Sequence, residues 1–407
     1  MNKIQTVTYY MGAFLCLTTV GLLTACSDDS ADSAVSKREI HLTAGSRQFQ
    51  QDDDEAEAPA WTRAVTYPNS TDWENYRTMY PDEEPNMLIF IAKPNDNATS
   101  SDVSSRLFRF SATKDWQANV TITDTNPEYL IYGFMPMDAE NSSDEVSISR
   151  LPLGGSGYES NYKIGAQLTI RGLKVLTMSD PCVIVGVKKM EGASSNVTLE
   201  WGKFGYTFQP ESNTGNTDDY MSILLDHIYS RYYFKMKVAA SYNTMRTIRI
   251  TKMTLEALNL AGTQTVRSVD ATVALRANTT NSNPVSSITF KRNEGTRVMT
   301  LYDKDAAGNT IGNADGLTLT TDLQEIGFCL APADQRGFQL TTDYEVLDTS
   351  GAVIRTDKVV NRFNTINFRD KKITSTTPGL KHYINITVNP TFIYTLSDSD
   401  IEFEINN

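Results

Sequence analysis

The residues able to do chemistry in this 407-residue chain are few and widely spaced. Its three histidines, His41, His227 and His382, lie far apart, none at metal-ligand spacing to another, which argues against a histidine-based zinc site. No G-x-S-x-G nucleophile elbow, phosphate loop or dinucleotide fingerprint occurs. LGGSGY (Leu153 to Tyr158) lacks both the spacing and the lysine of a phosphate loop and reads as a plain loop. DKDAAGN (Asp303 to Asn309) begins like a calcium loop, with Asp303, Asp305 and Gly308. But Ala307 falls at a ligand position and the twelfth position is Ala314 rather than glutamate, so it reads as a hairpin turn. With 49 acidic residues, acid pairs occur everywhere and no glycosidase dyad can be argued from them. The chain is not expected to be an enzyme, and no cofactor or metal is implied.

Cysteine carries a different message. In GLLTACSDDS (Gly21 to Ser30) an apolar run ends in a lone cysteine followed by serine and acid. Upstream, Lys3 supplies a thin positive region, and Met11 to Leu23 is apolar but too short and too weakly flanked to span a membrane. Leu23-Thr24-Ala25-Cys26 resembles a bacterial lipobox. That resemblance implies that Cys26 receives a diacylglyceryl thioether, becomes the first residue once 1–25 are removed, and is then N-acylated. Each buried methylene of such chains adds about 0.8 kcal/mol of membrane attachment. Ser27, Asp28 and Asp29 look like the acidic signal that sends some Gram-negative lipoproteins to the exposed leaflet of the outer membrane. Cys16 leaves with the signal. Cys182 and Cys329 remain, each within an apolar run (DPCVIVGV, IGFCLAP); an oxidising compartment would allow them to pair, but two buried thiols, one per domain, are expected, since nothing in the sequence brings those runs together.

The elements that must carry these residues can be read from charge and periodicity. The net charge is −12, and −13 after loss of residues 1–25, whose one charged side chain is Lys3. An acidic chain without basic blocks argues against nucleic acid and anionic lipid surfaces as partners. Residues 26–63 are largely polar, densest in QDDDEAEAPA, and read as a tether unable to bury enough apolar surface to order itself. REIHLTAG (Arg38 to Gly45) interrupts it: Ile40 and Leu42 alternate, a short strand signal able to dock on the neighbouring domain.

Beyond Ala64, strand-length apolar runs recur between Asn, Gly, Asp, Pro and Ser. Tyr232, Phe234, Met236 and Val238 share one face, Tyr233, Lys235 and Lys237 the other; Ile164, Ala166, Leu168 and Ile170 alternate likewise. This predicts an all-β antiparallel sandwich architecture. Ile248 and Ile250 keep one parity and Met253 and Leu255 the other, which predicts a bulge near Lys252. DDYMSILLDHIYS sets Met221, Leu224, Leu225 and Ile228 at helical spacing and predicts one short helix. The polar PESNTGNTDD before it marks a boundary between domains at 64–215 and 216–407.

Several blocks, taken in order, resemble the fimbrillin-like lipoprotein family of Gram-negative pilus subunits. They are YLIYGFMPMD, LTIRGLKVLTMSDPCVIVGV, LLDHIYSRYYFKMKV followed by IRITKMTL, YEVLDTSGAVIRTDKVVN, and GLKHYINITVNPTFI. The resemblance runs over most of the chain from about residue 64. It implies two transthyretin-like β-sandwich domains in tandem, export as a lipoprotein, removal of an N-terminal strand by a trypsin-like or arginine-specific protease, and assembly with other pilin subunits by strand exchange.

On this chain the matching cleavage position is Arg63 before Ala64 (AWTRAVTY), with Arg47 (AGSRQF) as runner-up. The strand lost would be the one holding Ile40 and Leu42, released together with the acylated Cys26 that holds outer-membrane lipid. The closing DSDIEFEINN alternates Ile401, Phe403 and Ile405 with Glu402 and Glu404. It is either a donor strand for a neighbour or the ordinary last strand of the C-terminal sandwich. The alternative to a pilus subunit is a lipid-anchored, non-polymerising surface protein that binds glycan or host protein through exposed aromatics, for which STDWENYRTMYPDEEP (Trp73, Tyr76, Tyr80) is the candidate stretch.

Overall fold

Alternating apolar residues over short runs bury one face by packing sheet against sheet or by closing a sheet on itself, and the described residues do both. The structure, a computed structural model, describes residues 36–47, 49–51, 73–75, 85–92, 103–111, 115–122, 128–137, 145–152, 164–190, 202–208, 219–243, 246–276, 284–363, 367–368, 371–372, 378–389, 392–397 and 401–404. The fold is all-β; among the described residues helix is confined to the four-residue α1 (Ala240–Asn243).

The first sheet contains β1 (Ser36–Arg47), β3 (Trp73–Asn75), β4 (Met87–Ala92), β5 (Val103–Ser111), β6 (Asp115–Ile122), β7 (Glu128–Met135), β10 (Cys182–Met190), β11 (Gly205–Thr207) and β12 (Asp219–His227). Its order is β10-β12-β1-β6-β5-β4-β7-β11, with β3 on the end of β1. β10 also pairs with β7, Cys182 opposite Met135 and Val183 opposite Phe134, so the sheet closes on itself as a barrel. The second sheet has β2 (Gln50–Gln51), β13 (Tyr229–Val238), β19 (Gln324–Pro332), β24 (Leu380–Asn389), β25 (Phe392–Ser397) and β26 (Ile401–Glu404), ordered β19-β13-β24-β25-β26 with β2 on β24.

The third sheet holds β8 (Glu145–Pro152), β9 (Ile164–Lys174), β14 (Thr247–Leu258), β15 (Thr265–Leu275), β16 (Val285–Glu294), β17 (Met299–Asp303), β18 (Leu317–Thr318), β20 (Phe338–Leu347) and β21 (Val353–Phe363). Its spine is β21-β20-β14-β15-β9-β8. A small ribbon pairs β22 (Asn367–Phe368) with β23 (Lys371–Lys372).

Two apolar clusters result from this layering. Ile40, Leu42, Met87, Ile89, Trp116, Ile131, Ile184, Met221, Ile223 and Leu225 fill the barrel. The larger cluster joins β13, β24, β14, β15, β9 and β20, and it also takes in Phe90, Tyr132, Phe134, Val183 and Val185 from the outer face of the barrel wall. Strands that form this wall are therefore buried on both faces.

That double burial corrects one expectation. The stretch predicted to be a short helix is the strand β12, lying between β1 and β10. Met221, Ile223 and Leu225 face the barrel interior while Leu224 belongs to the larger cluster, so an apolar run with two buried faces mimicked helical spacing. Strands also cross the expected boundary near residue 215: β12 sits in the first sheet, and β8 and β9 extend the third through β15.

Elsewhere the parities hold. Tyr232, Phe234, Met236 and Val238 are fully buried, and the register of β14 against β20 shifts between Ile250 and Lys252. DKDAAGN is not a hairpin turn. β17 and β18 both pair with the same side of β14, Asp303 opposite Lys252 and Leu317 opposite Ile250. The intervening loop therefore interrupts one strand instead of reversing the chain, and Asp303 is held by Lys252 Nζ at 2.7 Å.

Candidate functional site

The candidate site is the slot that β1 occupies. Alternation in REIHLTAG dictates which side chains enter the barrel: Ile40 and Leu42 are fully buried and Ala44 nearly so, while Glu39, His41 and Thr43 on the other face are half-buried. β1 runs parallel to β12, from Ile40 opposite Asp219 to Ser46 opposite Leu225. It runs antiparallel to β6, from Ser36 opposite Ile122 to Leu42 opposite Trp116. A segment preceding the globular part of the sequence is thus an internal strand of its barrel.

Each end of the slot carries an ion pair that β12 supplies. Arg38 lies in phase with Ile40 and Leu42, so it points inward, and its Nη1 meets Asp219 Oδ2 at 2.9 Å with both side chains fully buried. Tyr206 donates its hydroxyl to Asp219 Oδ1 at 3.2 Å. Burial, and next the Asp219 carboxylate, push the Tyr206 phenol far above its ordinary value. Arg38 Nε and Nη2 have no partner among the described residues. At the other end, Arg47 Nη2 lies 3.0 Å from Asp226 Oδ1 and donates to the carbonyl of Pro378 at 3.3 Å.

His227, the last residue of β12, fastens this second end. Its Nδ1 meets Asp180 Oδ2 at 2.6 Å, and its Nε2 donates to the carbonyl of Arg47. Both ring nitrogens thus face an acceptor, a carboxylate on one side and a backbone carbonyl on the other. Phe49 stacks on the imidazole at 4.0 Å, and the Arg231 guanidinium lies over Phe49 at 4.5 Å from its ring centre. Gly379, at φ 75°, lets the backbone pass here. A Cβ on it would sit 2.8 Å from Arg47 Nη2 and 3.0 Å from His227 Cδ2. Beyond Phe49, Gln50 and Gln51 add to β24 in parallel, so the segment is attached to two sheets.

Asp180, Cys182 and His227 are the kind of residues that hold metals or build nucleophilic sites, and all three are buried. The geometry fits neither use. Cys182 Sγ, at 3.8 Å, and Asp180 approach the same nitrogen, Nδ1, and Nε2 is already engaged by Arg47, so the relay of acid, base and nucleophile through opposite ring nitrogens is missing. The 2.6 Å separation of Nδ1 from Asp180 Oδ2 is that of a hydrogen bond, shorter than the edge of a tetrahedron with zinc–ligand bonds near 2.0–2.1 Å. The cluster braces the slot. Cys182 and Cys329 are both buried and not joined in a disulfide, and burial pushes the Cys329 thiol well up.

Of the residues singled out in the sequence, Ile40 and Leu42 meet inside the barrel and Arg47 ends β1 with its side chain 16% exposed. Ile401 and Phe403 lie on β26, at the far edge of the second sheet. Cys26, Arg63, Ala64 and Ile405 lie outside the described residues, as do Tyr76 and Tyr80; of Trp73 the backbone alone is described, in β3. The sequence reading missed Arg38, Asp180, Asp219, Asp226 and the bracing role of His227. Its available signal was an arginine in phase with an apolar stripe and a run of apolar residues flanked by two aspartates.

What the geometry defines is an all-β protein with an N-terminal segment built into its barrel. No protein-family model and no curated protein matches the chain. Among solved structures it is similar to a fimbrial protein from Bacteroides vulgatus, with 10% identity, 88% of this chain and 98% of that one covered, and a TM-score of 0.36. It is also similar to the fimbrial anchor protein Mfa2 from Porphyromonas gingivalis, with 10% identity, coverage of 91% and 100%, and a TM-score of 0.31. Among the described residues no helix is long and apolar enough to cross a membrane.

Proposed function

We propose that the chain is the precursor of a surface pilus subunit with an adhesive role, structural rather than catalytic, in which β1 is a replaceable strand. The observation that carries this reading is the lodging of β1: it completes a closed sheet, yet its covalent link to the rest of the barrel runs through the segment that bears Arg63. A cut between Arg63 and Ala64 by an arginine-specific or trypsin-like protease leaves β1 held by non-covalent contacts alone. Its departure, along with the acylated Cys26 and its outer-membrane lipid, uncovers the facing edges of β12 and β6, which are templates for a strand from another pilin subunit. The order of sequence blocks that resemble fimbrillin-like lipoproteins supports the same reading, with β26 as the candidate donor that this chain offers to another subunit's slot. Arg47 is a poor cleavage site by comparison, because its carbonyl and guanidinium are both engaged.

One observation favours a second reading, an anchored surface protein that never polymerises: the fully buried Arg38–Asp219 pair makes β1 costly to withdraw. Limited digestion of the chain from Ser27 onward with an arginine-specific protease, followed by N-terminal sequencing and sizing, separates the two. The pilus reading expects a new terminus at Ala64, an intact Arg47 bond, and oligomer ladders once the β1 fragment has gone. A chain that is cut at Arg63 yet keeps β1 in place and stays monomeric overturns it in favour of the anchored protein.

A further inference from the structure

Resting on the reading that β1 is exchanged, we infer that its slot selects an incoming strand by charge: it accepts a strand with a cation at each end and rejects an acidic one, including the C-terminal strand of a second copy of this chain. The slot is lined in three parts. Asp219 stands at one end, fully buried and facing the barrel interior; Met221, Ile223 and Leu225 form the apolar middle; and Asp226, also buried, stands at the other end on the opposite face. β1 answers with Arg38 inward at 2.9 Å, Ile40, Leu42 and Ala44 against the apolar stretch, and Arg47 at 3.0 Å from Asp226. The matching strand therefore reads Arg-x-apolar-x-apolar-x-small-x-x-Arg, its first arginine in phase with the apolar stripe and its second out of phase.

Removing one partner of a buried ion pair is far more damaging than the pair itself is favourable, because the remaining charge is left in a poorly solvating interior. A strand that fills the slot without cations leaves Asp219 and Asp226 in that state. This chain's own C-terminus cannot supply them in any register, since the last basic residue is Lys381 apart from His382, and residues 383–407 contain none. If Ile401, Phe403 and Ile405 turn inward, Asp398, Asp400, Glu402 and Glu404 all fall on the outer face, the side where Asp226 already lies. Like charges would then meet where β1 brings Arg47. The partner strand that the slot fits belongs to a different subunit, one carrying the two-arginine pattern.

The test uses the chain from Ser27 onward, cut at Arg63, with exchange of the β1 fragment followed by native mass spectrometry. Three labelled peptides compete: residues 36–51, the same peptide with Arg38→Glu and Arg47→Glu, and residues 396–407. The first is expected to replace the fragment, and the other two to bind at least tenfold more weakly. Equal binding of the C-terminal peptide or of the doubly substituted peptide overturns charge selection while leaving strand exchange intact. Should none of the three exchange, strand exchange itself fails. Charge selection is then decided in the uncut chain: Arg38→Glu must lower the melting temperature, and Asp219→Lys added to it must raise it part of the way back. A double variant no more stable than the single one overturns the inference.

Discussion

Replacing Arg38 with methionine tests how β1 is held. The substitution keeps most of the side-chain volume and removes the guanidinium, leaving the Asp219 carboxylate buried at a site where neither side chain is exposed. Breaking such a pair from one side costs about 3–5 kcal/mol. Arg38 leaves Nε and Nη2 unsatisfied among the described residues, so the pair carries its own desolvation penalty. Removing both charges, in Arg38→Met with Asp219→Leu, should therefore restore stability to within about 1–2 kcal/mol of the parent. The remaining loss is small because the Tyr206 hydroxyl can turn from Asp219 to the carbonyl of Tyr220, at 3.3 Å. Denaturant unfolding of the parent, the two single variants and the double variant gives the cycle, with fluorescence as the probe, since Trp116 lies opposite Leu42 on the β1–β6 ladder. A single variant that loses less than about 1 kcal/mol, or a double variant as unstable as the single, refutes the claim that an enclosed charge pair fastens this end of β1.

Other parts of the molecule supply two further expected outcomes. Gly379→Ala forces a side chain into φ 75° against Arg47 and His227; it should cost about 1–2 kcal/mol and speed cleavage at Arg47 by an arginine-specific protease, and an unchanged cleavage rate would show that the glycine has no part in shielding β1. Burial holds His382 down at about 4 from an ordinary 6.5. Between those values the unfolded chain binds a proton that the folded chain does not, so stability falls as pH drops through this window, by up to about 3 kcal/mol, and the loss is complete below it. Melting at pH 7 and pH 4.5 should show a smaller acid-induced drop for His382→Phe than for the parent; equal drops would remove His382 from the account.

The all-β class was legible because strand alternation is written locally: Tyr232 to Val238 and Ala166 to Ile170 sort their faces without reference to any partner. So was the strand in the tether, since Ile40 and Leu42 need only an apolar surface to dock on. The parity change around Lys252 likewise located a bulge from side-chain order alone. β12 was misread because helical spacing and double burial place apolar residues at the same positions, and only a neighbour on each side distinguishes them. The loop after Asp303 was misread as a reversal because turn residues mark a departure from a strand and say nothing about where the chain re-enters. The slot's fastenings stayed hidden for a simpler reason. Arg38 and Asp219 are separated by 181 residues, and Arg47 and His227 by 180, so their partnership exists only in the closed barrel.

The direction of β1 has a mechanical consequence. Force applied to the chain ahead of Ser36 and directed along the strand would draw β1 lengthwise between β12 and β6, loading the ladder hydrogen bonds, Arg38 and the Arg47–His227 fastening in shear, all together. A strand peeled sideways gives up such bonds one at a time. A subunit tethered through its first residues would thus carry tension across all of these contacts at once, and after a cut at Arg63 the same contacts alone would hold the piece.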